Sequence, residues 1–223
     1  MTRSSQRWAA MPGSFDPLHT SHLFPSDNRY GIPNLPHTAL SNLPQWLAPY
    51  RTRIRSAQPP DDGAVHFFLD DYRFETVWTR PRKALSYLQK FEVLLTPDFS
   101  LYVDYPRALQ LFNIYRNRWC GALWIAEGFT VIPTVSWGGA DTFDFCFLGV
   151  PRHGPVAVST VGTRSQAHAR YSFIEGFHAL LDQIEPSVVL CYGDPYPEML
   201  DLAEVEVYPD RWQGIRDARQ RER

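Results

Sequence analysis

The chain has 223 residues, 44% hydrophobic and 21% charged, with a formal net charge of -2. That suffices for one domain with a substantial core, and no overall basic field draws it to nucleic acid or an anionic membrane. Its three cysteines, Cys120, Cys146 and Cys191, stand far apart without CxxC or Cys/His ligand spacing, which argues against a disulfide framework or a structural zinc.

No run is long and apolar enough to cross a bilayer, and MTRSSQRWAAMPGS lacks an apolar signal core, so the expected setting is cytoplasmic, without membrane. Nine of the nineteen prolines lie within residues 1–60. Proline at that density excludes a continuous helix or a central strand. Residues 1–60 therefore read as an extended arm, with TALSNLPQWLAPY as a short interrupted helix. QPPDDG (58–63) marks the boundary with an α/β body over 61–210, and 211–223 is a charged tail.

In the body, short apolar runs alternate with helical patterns. HFFL (66–69) leads into DDYRFE, and the helix PRKALSYLQKF precedes EVLLT (92–96). A long helix over 105–121 precedes FTVIPTVSW (129–137). PVAVST (155–160) precedes a second long helix over 164–185, and SVVLCYG (187–193) and EVEVY (204–208) complete the set. Such runs separated by helices predict a largely parallel sheet. Five or six βα units fall short of the roughly 250 residues of a complete eight-unit barrel. The expected body is an abridged or incomplete barrel, with an open doubly wound sheet as the alternative. Both collect sites at the carboxyl ends of the strands.

The helix over 164–185 is the best-defined element. Thr163 and Gln166 stand at capping-box spacing, and Phe173, Phe177, Leu180, Leu181 and Ile184 make one apolar stripe ended by Pro186. Gly176 beside the stripe points to a close approach of the helix to the sheet.

Asp98 follows the strand EVLLT directly, where a buried strand hands over to its connection. The other strand ends carry similar residues: Asp70 and Asp71 after HFFL; Ser136, Trp137, Asp141 and Asp144 after VIPTV; Ser159 and Thr160 after PVAV. With parallel strands these carboxylates share one rim. There Asp98, Asp70 and Asp141 could divide acid and base roles, and Asp98, Asp70 and Asp144 could bind Mg or Mn through oxygen. Single aspartates at such positions also serve as caps and turns.

Arg116 falls among the apolar residues of the helix over 105–121. A guanidinium there needs a carboxylate or phosphate partner. Asp98 is the nearest candidate by connectivity, followed by Asp70 and Asp71. Arg116 is thus either a structural ion pair or an anion clamp, with Asn113 one turn away and Arg73 as a second cation. Trp137 before Gly138 and Gly139 offers a stacking face, and Ser136 and Thr160 add hydroxyls for a ligand. No nucleophile elbow, GxGxxG or HExxH occurs, and the seven histidines show no ligand spacing.

At DDYRFE, LLTPDFSLY, the N-x-x-R-N-R segment from Asn113 to Arg118, VIPTVSWG, FCFLG and VAVSTVG, the sequence resembles domain of unknown function 4417, found in bacteria, phages and plasmids. The resemblance covers about residues 65 to 195, leaving the arm and the tail DARQRER outside it. It implies a mobile-element setting and a shared fold, and brings no catalytic assignment. The residues themselves point to metal-assisted hydrolysis of a phosphorylated or nucleotide substrate, a small anionic ligand. The alternative is a non-catalytic accessory protein that binds a host protein or nucleic acid.

Overall fold

The computed structural model describes residues 16–51, 62–164 and 167–210. The Gln166 half of the capping box, most of the QPPDDG boundary and the tail 211–223 lie outside the described residues.

Among the described residues seven strands, all parallel, follow one another in chain order. β1 (Trp46–Pro49), β2 (Gly63–His66), β3 (Val93–Leu95) and β4 (Thr130–Ile132) make one ladder; β5 (Pro155–Ser159), β6 (Val188–Tyr192) and β7 (Val205–Tyr208) make the other. The ladders join where the chain passes Pro133. Up to Ile132 the strand pairs with β3, and from Pro133 it turns to β5: Ala157 N donates to Pro133 O (2.8 Å) and Val135 N to Ala157 O (2.8 Å). Proline has no N–H to give a ladder, so the switch falls where a donor is missing anyway.

Sequential strand order lacks the reversal of a doubly wound sheet and puts the helices on one side. α1 (Thr76–Thr79), α2 (Pro81–Leu88) and α3 (Arg107–Ala126) cover β1 to β4 over a core that includes Val65, Leu94, Val131, Trp119 and Trp124. α4 (Ala167–Ile184) and α5 (Pro197–Leu202) cover β5 and β6 through Phe173, Phe177, Leu180 and Met199. The opposite face forms an inner core of Ala64, Leu95, Ile132, Ala157, Leu190, Tyr192 and Tyr208. Alternate residues of successive strands thus meet in an interior, as in a barrel. The ring stays incomplete: among the described residues β7 and β1 do not pair, and the Tyr208 hydroxyl spans the gap by donating to Pro44 O (2.6 Å).

Two sequence expectations are corrected here. The proline-dense arm contributes a strand, β1, at the sheet edge, where proline removes no needed ladder bond. Trp46 and Leu47 belong to that strand and not to an interrupted helix. The segment is also fastened to the body: Ile32, Leu35, Ala48 and Tyr50 are buried, Trp119 Nε1 donates to His22 O (2.8 Å), and Leu35 N donates to Gly149 O (2.9 Å). The second correction concerns β2, which ends at His66, where HFFL was expected to begin. Phe67 joins the helix-side core and Phe68 packs on the inner one, so the apolar run records two cores meeting at a strand exit.

His66 lies wholly inside, tilted against the Tyr192 ring (4.4 Å between ring centres), and its Nδ1 accepts from Phe68 N (3.2 Å). Burial pushes its pKa down to about 3. The three cysteines are buried free thiols. Among the described residues no helix is long and apolar enough to cross a membrane.

Candidate functional site

The chain leaves β3 through Thr96-Pro97-Asp98, and the backbone there is tethered on every side. Thr96 N donates to Ile132 O (3.0 Å), and Thr134 N donates to Thr96 Oγ1 (2.7 Å). From α3, Asn117 Nδ2 donates to Pro97 O (2.7 Å), and one turn earlier Asn113 Nδ2 donates to Ser100 O (2.7 Å). Asp71 accepts from both N (3.2 Å) and Oγ (2.8 Å) of Ser100. A connection that leaves the ladder has carbonyls and amides without strand partners; α3 and the β2 exit supply them.

Arg118 continues that row one residue on. Fully buried, it donates from Nε to Leu148 O (3.0 Å), from Nη1 to Thr134 O (3.1 Å) and Asn117 Oδ1 (2.5 Å), and from Nη2 to Cys146 O (3.0 Å). Burial pulls its pKa down to about 10, so it stays charged at neutral pH. The polar row Asn113, Asn117 and Arg118 therefore fixes the ends of β3 and β4 and the 145–149 turn.

Arg116 does not pair with Asp98. Its Nη1 binds both carboxylate oxygens of Glu75 (2.8 and 3.0 Å), its Nη2 donates to Asn113 Oδ1 (2.7 Å), and its guanidinium lies 3.8 Å over the Phe99 ring. The sequence-based choice failed because Asp98 lines the cavity beside Ser136, while Glu75, after the β2 exit, reaches this face of α3. Leu109, one of the apolar residues of that helix, is exposed.

Asp98 itself is left without such support. The residue is half-buried, its Oδ1 is buried, and that oxygen has no hydrogen-bond partner. Desolvation raises its pKa to about 7; the neighbouring Ser136 hydroxyl tempers the rise and the Asp71 charge adds to it. Ser136 Oγ, close enough to act on the carboxyl, also lacks a hydrogen-bond partner. Buried polar groups are normally bonded, and at this strand exit two neighbouring ones, Asp98 Oδ1 and Ser136 Oγ, have no partner beyond each other.

Both line one cavity of about 190 Å³ at the carboxyl ends of the strands. Trp137 follows Ser136 on the β4 side; Ser159 and Thr163 come from the end of β5; Ser172 and Phe173 face in from α4. Trp137 Nε1 donates to Ser172 O (3.2 Å), and its ring packs on Phe173 (5.2 Å between centres). Gly176 makes that wall possible. A Cβ there would lie 2.1 Å from Trp137 Nε1, so the close approach read from the sequence is that of the helix to this indole. Gly176→Ala is expected to displace Trp137 and lower stability by about 1–3 kcal/mol, read as a fall in urea midpoint and as a change in the cavity's ligand affinity.

Of the strand-end residues singled out in the sequence, Asp98, Ser136, Trp137, Gly138 and Ser159 share the cavity. The other candidate site residues lie elsewhere. Asp70 and Arg73 are exposed at the β2 exit. Asp141 and Asp144 are exposed; Arg107 donates to Asp141 O (2.7 Å) and pairs with the Asp144 carboxylate (2.5 Å). Thr160 Oγ1 donates to Asp194 O (2.7 Å). Asn113 and Arg116 fasten the scaffold. Asp98, Asp70 and Asp144 do not converge as metal ligands: among the described residues no group of three or more His, Cys, Asp or Glu side chains is placed to hold an ion. The donors present do not fit a Mg or Mn centre, which requires several oxygens at short range. Thr163, Ser172 and Phe173 were missed as site residues, because their periodicity marks a helix start and its core stripe. Phe173 serves the core and the cavity wall together.

Comparison with known proteins agrees with the sequence resemblance and widens it. The profile of a family described as Domain of unknown function (DUF4417) matches residues 24–209, so most of the arm's described segment belongs to the shared unit. The chain is 46% identical over 214 residues to the "Gene 1 protein" of Mycobacterium phage D29, covering 95% of this chain and 78% of that protein. It is 45% identical over 213 residues to the "Gene 1 protein" of Mycobacterium phage L5, covering 95% and 92%. No solved structure matches the chain.

Proposed function

This chain belongs to the DUF4417 family, and for it we propose a pocket that takes a small polar ligand and exchanges a proton with it through Asp98. The chemistry is that of a hydrolase working by general acid–base catalysis, with no step routed through a metal. The observation that carries the reading is Asp98 Oδ1, buried and unpartnered at the wall of a cavity. A carboxyl raised to about 7 is present in both protonation states at neutral pH, which is where an acid–base group works best. Its position at the carboxyl end of a parallel strand is where such folds carry their sites. The test is a thermal-shift screen of small polar compounds against the natural chain and Asp98→Asn. A compound that raises the midpoint of the natural chain alone supports the reading; stabilisation equal in both sinks it.

The accessory-protein reading rests on a separate observation. Tyr72, Tyr102 and Val103 are 79%, 58% and 62% exposed, and the Asp71–Ser100 bonds hold their two loops together. An exposed apolar group of this kind marks interaction surfaces. A Tyr72→Ser/Tyr102→Ser double variant that still captures a host partner as the natural chain does would remove this reading.

A further inference from the structure

Building on the acid–base reading of the pocket, we infer that its ligand is a small cation with N–H donors, an ammonium or a guanidinium, and not the phosphorylated compound that the sequence favoured. Three observations carry it. First, among the described residues lining the cavity there is no Lys, Arg or His, and their one ionisable group is Asp98. An anion entering would meet a carboxyl and no compensating charge.

Second, the arginines nearby in the fold are committed. Arg116 is held by Glu75 and Asn113, and Arg118 by backbone carbonyls. Arg164 donates to the carbonyls of Asp194 and Pro195 (2.8 Å each), and Arg170 pairs with Glu198. Recruiting any of them for a phosphate would strand an existing partner. The first turns of α4 also reach the cavity, but a helix start supplies about half a positive charge, less than the full negative charge of an ionised Asp98.

Third, the unsatisfied atoms have the polarity a cation needs. Ionised Asp98 is an acceptor only, Ser136 Oγ can accept beside it, and both are buried with no partner beyond each other. A guanidinium or ammonium bonds to both oxygens at once, as charge-assisted pairs do. Trp137 and Phe173 add aromatic walls, which attract cations over their faces.

The linkage is explicit. A cation binds the ionised carboxyl, so its binding releases a proton whenever Asp98 is protonated beforehand. Asp71, from the β2 exit, is the charged group that acts on Asp98. Across the pocket α4 presents Ala169, Ser172 and Phe173, which carry no charge, and the β4 exit presents Ser136 and Trp137. With the carboxyl titrating at about 7, affinity for a permanent cation should rise about tenfold from pH 6 to pH 8.

Calorimetric titration of the full chain and of Asp98→Asn with methylguanidinium, inorganic phosphate and uridine, at pH 6 and pH 8, decides the matter. The inference expects methylguanidinium binding that strengthens about tenfold with pH and disappears in Asp98→Asn, with no phosphate binding. Phosphate binding to the natural chain, methylguanidinium binding without pH dependence, or its survival in Asp98→Asn overturns the inference. Uridine binding that depends on Asp98, without methylguanidinium binding, overturns the cation and leaves the acid–base pocket standing. No binding by any probe, together with an Asp98 that titrates as an ordinary carboxyl, removes both.

Discussion

At pH 8 the Asp98→Asn variant is expected to be more stable than the natural chain by about 2–4 kcal/mol, while losing what the pocket binds. Asp98 has its folded pKa raised from 3.8 to about 7. A raised folded pKa means that the native chain keeps a proton which the unfolded chain has released. The stability contributed by this group is therefore complete below about pH 4 and is lost as pH rises through about 7. Asparagine keeps the shape and removes the charge, so the two proteins should have nearly equal urea midpoints at and below pH 4, diverge between pH 4 and 7, and stay apart by a constant amount above that. His66 imposes an opposite trend, because its folded pKa lies at about 3 and its contribution is lost as pH falls from 6.5. Taking the difference between variant and natural chain at each pH cancels that term. A variant less stable than the natural chain at pH 8 would mean that the carboxylate has a partner.

The second large effect is at Arg118. Arg118→Met is expected to lower stability by about 3–5 kcal/mol, measured by urea unfolding at pH 7. The substitution leaves the carbonyls of Leu148 and Cys146 without the donor they now have and takes one of two from Thr134 O, and an unsatisfied buried acceptor costs about 1–3 kcal/mol. Arg118→Lys should restore little, since one ammonium on a flexible stem cannot reproduce a planar fork aimed at several oxygens. Arg116→Met should be milder: its partner Glu75 has a side chain 38% exposed and can return to water. Equal losses for the two variants would contradict the division of labour along α3.

Those two arginines show what could and could not be read from the chain. The texture of apolar runs and helices was enough for a parallel α/β body, and five of the six runs it marked hold a strand, while HFFL follows one and touches it only at His66. β1 escaped because its prolines deny a central strand and say nothing of an edge. The charges of N-x-x-R-N-R were legible as buried groups needing partners, but the partners were not. Arg116 found a carboxylate 41 residues away, and Arg118 found carbonyls on a turn that follows the next strand. Neither has a local pattern.

The same limit governs the site. Asp98, Ser136 and Trp137 sit at strand ends, where topology alone brings distant residues together. Asp70, Asp141 and Asp144 sit at strand ends too, yet point to solvent or to Arg107. Position along the chain gives the rim; it does not give the direction of a side chain on it. Of Thr163, Ser172 and Phe173, two belong to α4, whose sequence advertises the core stripe; Phe173 opens that stripe and Ser172 stands one step off it, and both line the cavity.

A ¹³C NMR titration of the Asp98 side-chain carboxyl, assigned by its absence in Asp98→Asn, tests most directly whether the pocket holds a desolvated, unpaired acid. The expected midpoint is about 7, moving down when methylguanidinium is added. A midpoint near 4, unchanged by any added ligand, would contradict the account.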